Sequence, residues 1–445
     1  MDSKHMQLIE SSFVAPSEAT PMKGLWLSPL DLVQAKRGHT PTIGFYRSND
    51  AVAADFFDVA RLKHALAKAL VAFYPLAGRL GVDNNDGRVE ISCNAEGALF
   101  VAARCDDFTV DDFVDFKPSP ELRKLFVPRI EPSSIMMAIQ VTFLKCGGVA
   151  LGVSFHHAAI DGISAFHFLR TWASICRDGE DRAAMEIELP CHDRTLLRPR
   201  SPPAVHPNTL SVFCPNLTVH EPSGPNASEV FTITKDQLAS LKRLCGGVST
   251  FCAVSALVWR CACVARRIPP DAEARVVISA NIRRSLRPPL PSTYFGNAII
   301  SLTATATTRD VASETMVSVA ARVKGAVVRM DDEVVRSAID YFELADETED
   351  DLPPMIPRGR GVLPVTELRI VSWLGMPWHG ADFGWGKPRV MGLAESNHGG
   401  FVHLVDDVPA ENGGSGGVRV FACMEAANIM EFERLLYANL ECLAG

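Results

Sequence analysis

Eight prolines fall between Pro190 and Pro225 (Pro190, Pro199, Pro202, Pro203, Pro207, Pro215, Pro222 and Pro225), with little periodicity among them. Proline locks φ and donates no backbone hydrogen, so such a stretch cannot be a long helix or a central strand. It predicts an extended crossover, residues 190–225, that divides the 445-residue chain into halves of similar size, 1–189 and 226–445. A chain of this length exceeds one ordinary core and suits two or three domains. Further loops are expected at Asp346–Pro354, which is acidic, and at Asn412–Gly417, which is glycine-rich. No repeat of fixed period and no heptad run is present.

Both halves mix helix and strand signals. Leu62, Ala65, Leu66, Ala69, Leu70 and Phe73 recur at helical spacing, and Tyr74-Pro75 should end that helix. Met137–Leu144 and Val149–Phe155 are β-rich runs around Lys145-Cys146-Gly147-Gly148, the pattern of an antiparallel hairpin. Ile163–Cys176 returns to helical spacing. In the second half Ser249–Arg260, capped by Ser249 or Thr250, reads as a helix, as do Glu314–Arg329 and Ala426–Leu440. Arg275–Ala280 and Ala298–Thr303 read as strands. Without strict strand–helix–strand order, the expected class is α/β or α+β with mixed sheets, in two domains of similar size.

Composition removes several function classes. The formal charge of −8 gives no overall basic footprint for nucleic acid. An anionic ligand would need a local cationic patch, such as Arg283, Arg284 and Arg287, or Lys387 with Arg389. No apolar run reaches the 18 residues of a membrane span, and Met1–Glu10 does not read as a secretory signal, so a cytoplasmic protein is expected. The twelve cysteines are scattered and form no CxxC, which fits reduced, buried thiols rather than a zinc or redox motif.

The chemistry concentrates after the strand Val149–Phe155, in His156-His157-Ala158-Ala159-Ile160-Asp161-Gly162. An imidazole near neutral pKa, held at a strand end, can take a proton from a hydroxyl or amine attacking a carbonyl. Asp161 could contact that imidazole, as in a hydrolase triad, or face away and pair with an arginine. Gly162 would allow a backbone shape closed to other residues. A metal reading is weaker, because no third ligand follows His157 and Asp161 at suitable spacing.

His157-Ala158-Ala159-Ile160-Asp161-Gly162 together with Asp382-Phe383-Gly384-Trp385-Gly386 resembles the signatures HxxxDG and DFGWG of the plant BAHD acyltransferases. Leu25–Asp31, Phe73–Leu80, Trp259-Arg260-Cys261 and Tyr294-Phe295-Gly296-Asn297 extend the resemblance over nearly the whole chain. The resemblance implies a monomer of two chloramphenicol-acetyltransferase-like domains joined by a long crossover, with a tunnel between them. It implies no metal and no permanently bound cofactor. Acyl-CoA would serve as co-substrate in a direct ternary-complex transfer with His157 as general base. It also implies that Asp161 faces away and pairs with Arg283 of Asn281-Ile282-Arg283. The segment containing Asp382, Gly384 and Gly386 would be structural, and the Trp385 indole N–H would steady the oxyanion. Ser249, Thr250, Arg284 and Lys387 are the positions expected to meet coenzyme A.

Within the family, Leu27–Asp31, His39-Thr40-Pro41 and Tyr294–Asn297 look most like hydroxycinnamoyl-CoA transferases. Shikimate and quinate transferases carry a carboxylate-pairing arginine in the strand before DFGWG, and Gly375 stands there instead. The expected acceptor is therefore an aliphatic amine such as putrescine or agmatine, with Glu395 as its counter-ion. Glycerol, shikimate or quinate, and aryl-amines such as tryptamine or tyramine are the alternatives. A condensation domain would lack DFGWG, and a non-catalytic metabolite-binding paralogue is disfavoured by the intact His157. No nucleic-acid or membrane partner is expected.

Overall fold

The structure is a computed structural model that describes residues 6–48, 55–179, 188–213, 224–347, 363–377, 380–396, 398–407 and 416–442. Pro215, Pro222, most of the acidic loop and Asn412–Ser415 lie outside the described residues. Along the chain the strands are β1 (Gln7–Val14), β2 (Lys23–Trp26), β3 (His39–Tyr46), β4 (Arg79–Val82), β5 (Val89–Cys93), β6 (Ala98–Cys105), β7 (Met137–Leu144), β8 (Val149–His156), β9 (Asn226–Ile233), β10 (Glu273–Asn281), β11 (Ile299–Thr307), β12 (Glu367–Ser372), β13 (Val390–Leu393), β14 (Phe401–Asp406) and β15 (Val418–Glu425). The main helices are α1 (Pro29–Ala35), α2 (Val59–Ala72), α3 (Pro120–Phe126), α4 (Gly162–Asp178), α5 (Lys235–Leu244), α6 (Thr250–Ala265), α7 (Thr308–Ser313), α8 (Met316–Val328), α9 (Asp332–Glu347) and α10 (Ala426–Glu441).

The chain divides into two compact units. The first holds Met1–Arg198, Pro291–Ala298 and Met376–Glu395. Its main sheet runs β1-β6-β7-β8-β3-β13, parallel only between β6 and β7, beside a small sheet β2-β5-β4. β8 is buried along its whole length, so its residues read as a continuous apolar run rather than an alternating one. The buried stripe of α2 (Leu62, Ala65, Leu66, Ala69, Leu70) packs against α4, and Trp172 of α4 donates its indole N–H to the Leu62 carbonyl at 3.0 Å. Asp161 caps α4 by accepting from Ser164 N.

The second unit holds Pro199–Leu290, Ile299–Gly375 and Ser396–Gly445. Its sheet runs β11-β10-β12-β14-β15-β9 and is parallel at β10–β12 and β12–β14. α6 is apolar nearly all round, which suits a helix buried on most sides, and it packs against both α8 and α10. Ser249 caps it, accepting from Cys252 N at 3.2 Å. The expected hairpin, helices and mixed sheets are all present within a few residues of their expected bounds.

This division differs from the sequence expectation in three ways. The segment with Asp382–Gly386 belongs to the first unit, because β13 pairs antiparallel with β3. Pro291–Ala298 also belongs there, tied by a bridge between Cys191 and Tyr294. The boundary falls at Arg198 rather than 189, because Arg194 is buried in the first unit. The proline-rich stretch is not extended throughout: it holds 3-10 turns at Arg194–Leu197 and Pro207–Thr209, where proline takes the first position of the turn. No helix of the described residues is long and apolar enough to cross a membrane.

Candidate active site

β8 ends at His156 and α4 begins at Gly162, so the five residues between them form a short turn anchored by regular structure on both sides. His157 N donates to Gly38 O at 2.8 Å, fixing the backbone where the side chain leaves it. The ring is half-buried. Its Nδ1 lies 3.1 Å from Asn297 Oδ1. Among the described residues Nε2 has no hydrogen-bond partner. Burial, followed by the nearby Arg37 charge, pushes the His157 pKa down to about 4, against smaller upward pulls from its own carbonyl, Asp161 and Asn297. At neutral pH the ring is therefore unprotonated and able to accept a proton.

His156 is a different kind of residue. It is buried, its Nδ1 accepts from Ala158 N at 3.2 Å, and it meets His39 edge-on at 4.9 Å. Burial, with His39 and His157 nearby, lowers its pKa to about 3.

Asp161 does not serve the imidazole directly. One oxygen accepts from Ser164 N at 3.0 Å and the other from Ala298 N, also at 3.0 Å. It joins the start of α4 to the segment that carries Asn297. Gly162 is the first residue of α4 and is not among the glycines with positive φ, so its backbone conformation is one that other residues adopt. The expectation for Gly162 is corrected on that point.

The structure also corrects the role of Trp385. Its ring stacks on Phe57 at 5.2 Å, and the Arg61 guanidinium lies over it at 4.8 Å. Arg61 Nε donates to Cys176 O at 2.8 Å, at the C-terminal end of α4. Gly384 sits beside Arg177 there as well. His157 precedes the opposite end of that helix, roughly 24 Å away along its axis. Trp385 is therefore a packed aromatic, out of reach of an oxyanion at His157. Asp382 shapes this turn: its Oδ1 accepts from Gly384 N at 2.9 Å and Gly386 N at 3.0 Å. Both glycines have φ of +103°, a conformation side chains rarely adopt.

Glu395 is buried and its carboxylate pairs with Arg123 at 2.6 Å. Its charge is matched within the first unit, so the reason for giving it to a cationic acceptor falls away. Gly375 lies in the turn after β12, with φ of +72°, and donates its N–H to Asp406 Oδ2 at 2.6 Å. The sequence reading places it in the strand, and the structure places it three residues past the strand's end at Ser372. Ser249 and Thr250 begin α6, and Arg284 and Lys387 are exposed. Arg283 is buried in the second unit, with Nη1 3.2 Å from Asn281 Oδ1. Among the described residues no group of three or more His, Cys, Asp or Glu is placed to hold a metal.

Sequence reasoning assigned no role to three neighbours of His157. Asn297 donates Nδ2 to the His157 carbonyl at 2.7 Å and to Asp31 Oδ1 at 2.9 Å. Asp31 pairs with Arg194 at 2.9 Å. Asn297 and Asp31 stand inside segments that carried the resemblance, where a polar residue among apolar ones was the available signal. Arg194 carried none.

The model of the Transferase family matches residues 4–438. The chain belongs to the BAHD transferase family. Putrescine hydroxycinnamoyltransferase 1 of Oryza sativa subsp. japonica is 42% identical to this BAHD transferase, over 98% of this chain and 100% of that protein. Shikimate O-hydroxycinnamoyltransferase of Nicotiana tabacum is 38% identical over 97% of this chain and 99% of its own length. Among solved structures, vinorine synthase superposes with a TM-score of 0.73 at 24% identity, covering 96% of each chain. F. graminearum TRI101 complexed with ethyl coenzyme A gives 0.77 at 17% identity, covering 93% of this chain and 97% of its own. The BAHD transferase thus has the chloramphenicol-acetyltransferase-like fold, and it is an acyltransferase of the hydroxycinnamoyl-CoA branch.

Proposed function

We propose that this BAHD transferase moves a hydroxycinnamoyl group from its coenzyme A thioester to an aliphatic amine of the putrescine or agmatine class, with His157 as general base. The observation that carries the mechanism is the half-buried His157 ring, unprotonated at neutral pH, with Nδ1 engaged by Asn297. The acceptor nitrogen attacks the thioester carbonyl and passes a proton to Nε2. The C–S bond then breaks, and the departing thiolate takes that proton to leave as free coenzyme A. No covalent acyl-enzyme forms, and both substrates are held together for a single direct transfer. TRI101 is named as a complex with ethyl coenzyme A, which supports a coenzyme A derivative as co-substrate. The putrescine-specific name of the relative at 42% identity supports the amine. Gly375 lies in the turn after β12 and not in the strand, so the choice of an amine rests on that name and not on this position.

The reading is tested by following free thiol from p-coumaroyl-CoA with putrescine, agmatine, tryptamine, glycerol or shikimate. Turnover is expected with the aliphatic amines, and His157→Ala should lower kcat by roughly 10²- to 10⁴-fold. Thiol release that survives in His157→Ala overturns the mechanism. Because an alkyl ammonium must lose a proton before it attacks, kcat/KM for putrescine should climb about tenfold per pH unit from pH 7 to 9. The tobacco relative favours a second reading, O-acylation of shikimate. Preferred turnover of shikimate would establish it and set aside the amine reading.

A further inference from the structure

We infer that Asn297, held by the buried Asp31–Arg194 pair, determines which nitrogen of His157 carries the proton. The inference rests on reading His157 as the base and makes Asn297 a positioning residue.

The Asn297 amide has one orientation available. Its Nδ2 donates to Asp31 Oδ1 at 2.9 Å and to the His157 carbonyl at 2.7 Å. Both partners only accept, so turning the amide over would set oxygen against oxygen twice in a site where Asn297 and Asp31 are fully buried. Asn297 Oδ1 is thereby left facing His157 Nδ1 at 3.1 Å. An acceptor there requires Nδ1 to carry the hydrogen, and the lone pair falls on Nε2. Asn297 also fixes the His157 carbonyl, through the Nδ2 hydrogen bond at 2.7 Å.

Asp31 is held as firmly. Its Oδ1 also receives the Asn297 backbone N–H at 2.9 Å and Arg194 Nη1 at 2.9 Å. Its Oδ2 receives Ser28 N at 3.0 Å and Ser28 Oγ at 2.7 Å. Arg194 further donates Nη1 to Ala158 O at 3.1 Å and Nη2 to Ala159 O at 2.6 Å. One guanidinium therefore steadies both the carboxylate behind Asn297 and the turn that follows His157. A buried ion pair adds little net stability over an apolar substitute, and its worth here lies in geometry. Losing the group that orients a catalytic imidazole costs rate through the wrong tautomer.

The test is ¹⁵N NMR of protein labelled at histidine, with the His157 signals assigned by their loss in His157→Gln. The unsubstituted protein should show Nδ1 protonated and Nε2 unprotonated. Asn297→Ala should populate both tautomers and lower kcat about a hundredfold, with KM for the thioester within about twofold. A protonated Nε2 in the unsubstituted protein overturns the inference, and that spectrum decides even if Asn297→Ala fails to fold. So does an Asn297→Ala variant that keeps pure Nδ1–H and kcat within about twofold. Full turnover by His157→Gln would overturn the base assignment itself. Abolished turnover there beside an unaffected Asn297→Ala would overturn only the role of Asn297.

Discussion

Asp161 accepts the backbone N–H of Ala298 at 3.0 Å, across 137 residues of sequence. Its other oxygen caps α4 through Ser164. The carboxylate of the HxxxD signature thus works as a fastener: it places the segment carrying Asn297 against the turn carrying His157. Asp161→Ala removes acceptors from two buried N–H groups and should lower stability by about 1–3 kcal/mol, read as a shift in urea midpoint. A variant as stable as the unsubstituted protein would refute this role.

Trp385 offers a clean distinction between packing and chemistry. Trp385→Phe keeps an aromatic ring on Phe57 and under Arg61 but removes the indole N–H. Its kcat should stay within about threefold, whereas loss of an oxyanion donor costs roughly 10²- to 10³-fold. Steady-state rates with p-coumaroyl-CoA decide between the two.

Glu395→Gln tests whether the carboxylate serves the acceptor or the fold. Because Glu395 already holds Arg123, KM for putrescine should change by less than about threefold. The effect should appear instead as a lower melting temperature. A large rise in KM with unchanged stability would return Glu395 to the acceptor.

The histidines predict acid sensitivity of a definite sign. The folded pKa values of His157, about 4, and of His156, about 3, lie below the roughly 6.5 of free imidazole. Between those limits the unfolded chain binds protons that the folded chain does not. Stability should therefore rise with pH through this window and be lost as pH falls from about 6.5 toward 4. Urea unfolding at pH 7 and pH 5 should show the higher free energy at pH 7. With a hydroxyl acceptor, the acidic limb of kcat should fall well below pH 6.5.

Local pattern carried a good part of this protein. The spacing of Leu62 to Leu70 specified α2, two β-rich runs around Gly147-Gly148 specified the β7–β8 hairpin, and Ser249 marked the start of α6. These elements were legible because periodicity, capping and turn chemistry act within a few residues. The placement of His157 between a strand and a helix was legible for the same reason.

Partner choice across the chain was not. That β13 joins β3, that Trp385 packs at the far end of α4, and that Arg123 takes Glu395 depend on contacts over hundreds of residues. The sequence by itself determined the elements and delivered an imidazole to their junction. Only the tertiary structure decided that Asn297, Asp31 and Arg194 would stand behind that imidazole. Such pairings are chosen by burial and by the matching of buried polar groups, and neither leaves a local period to read.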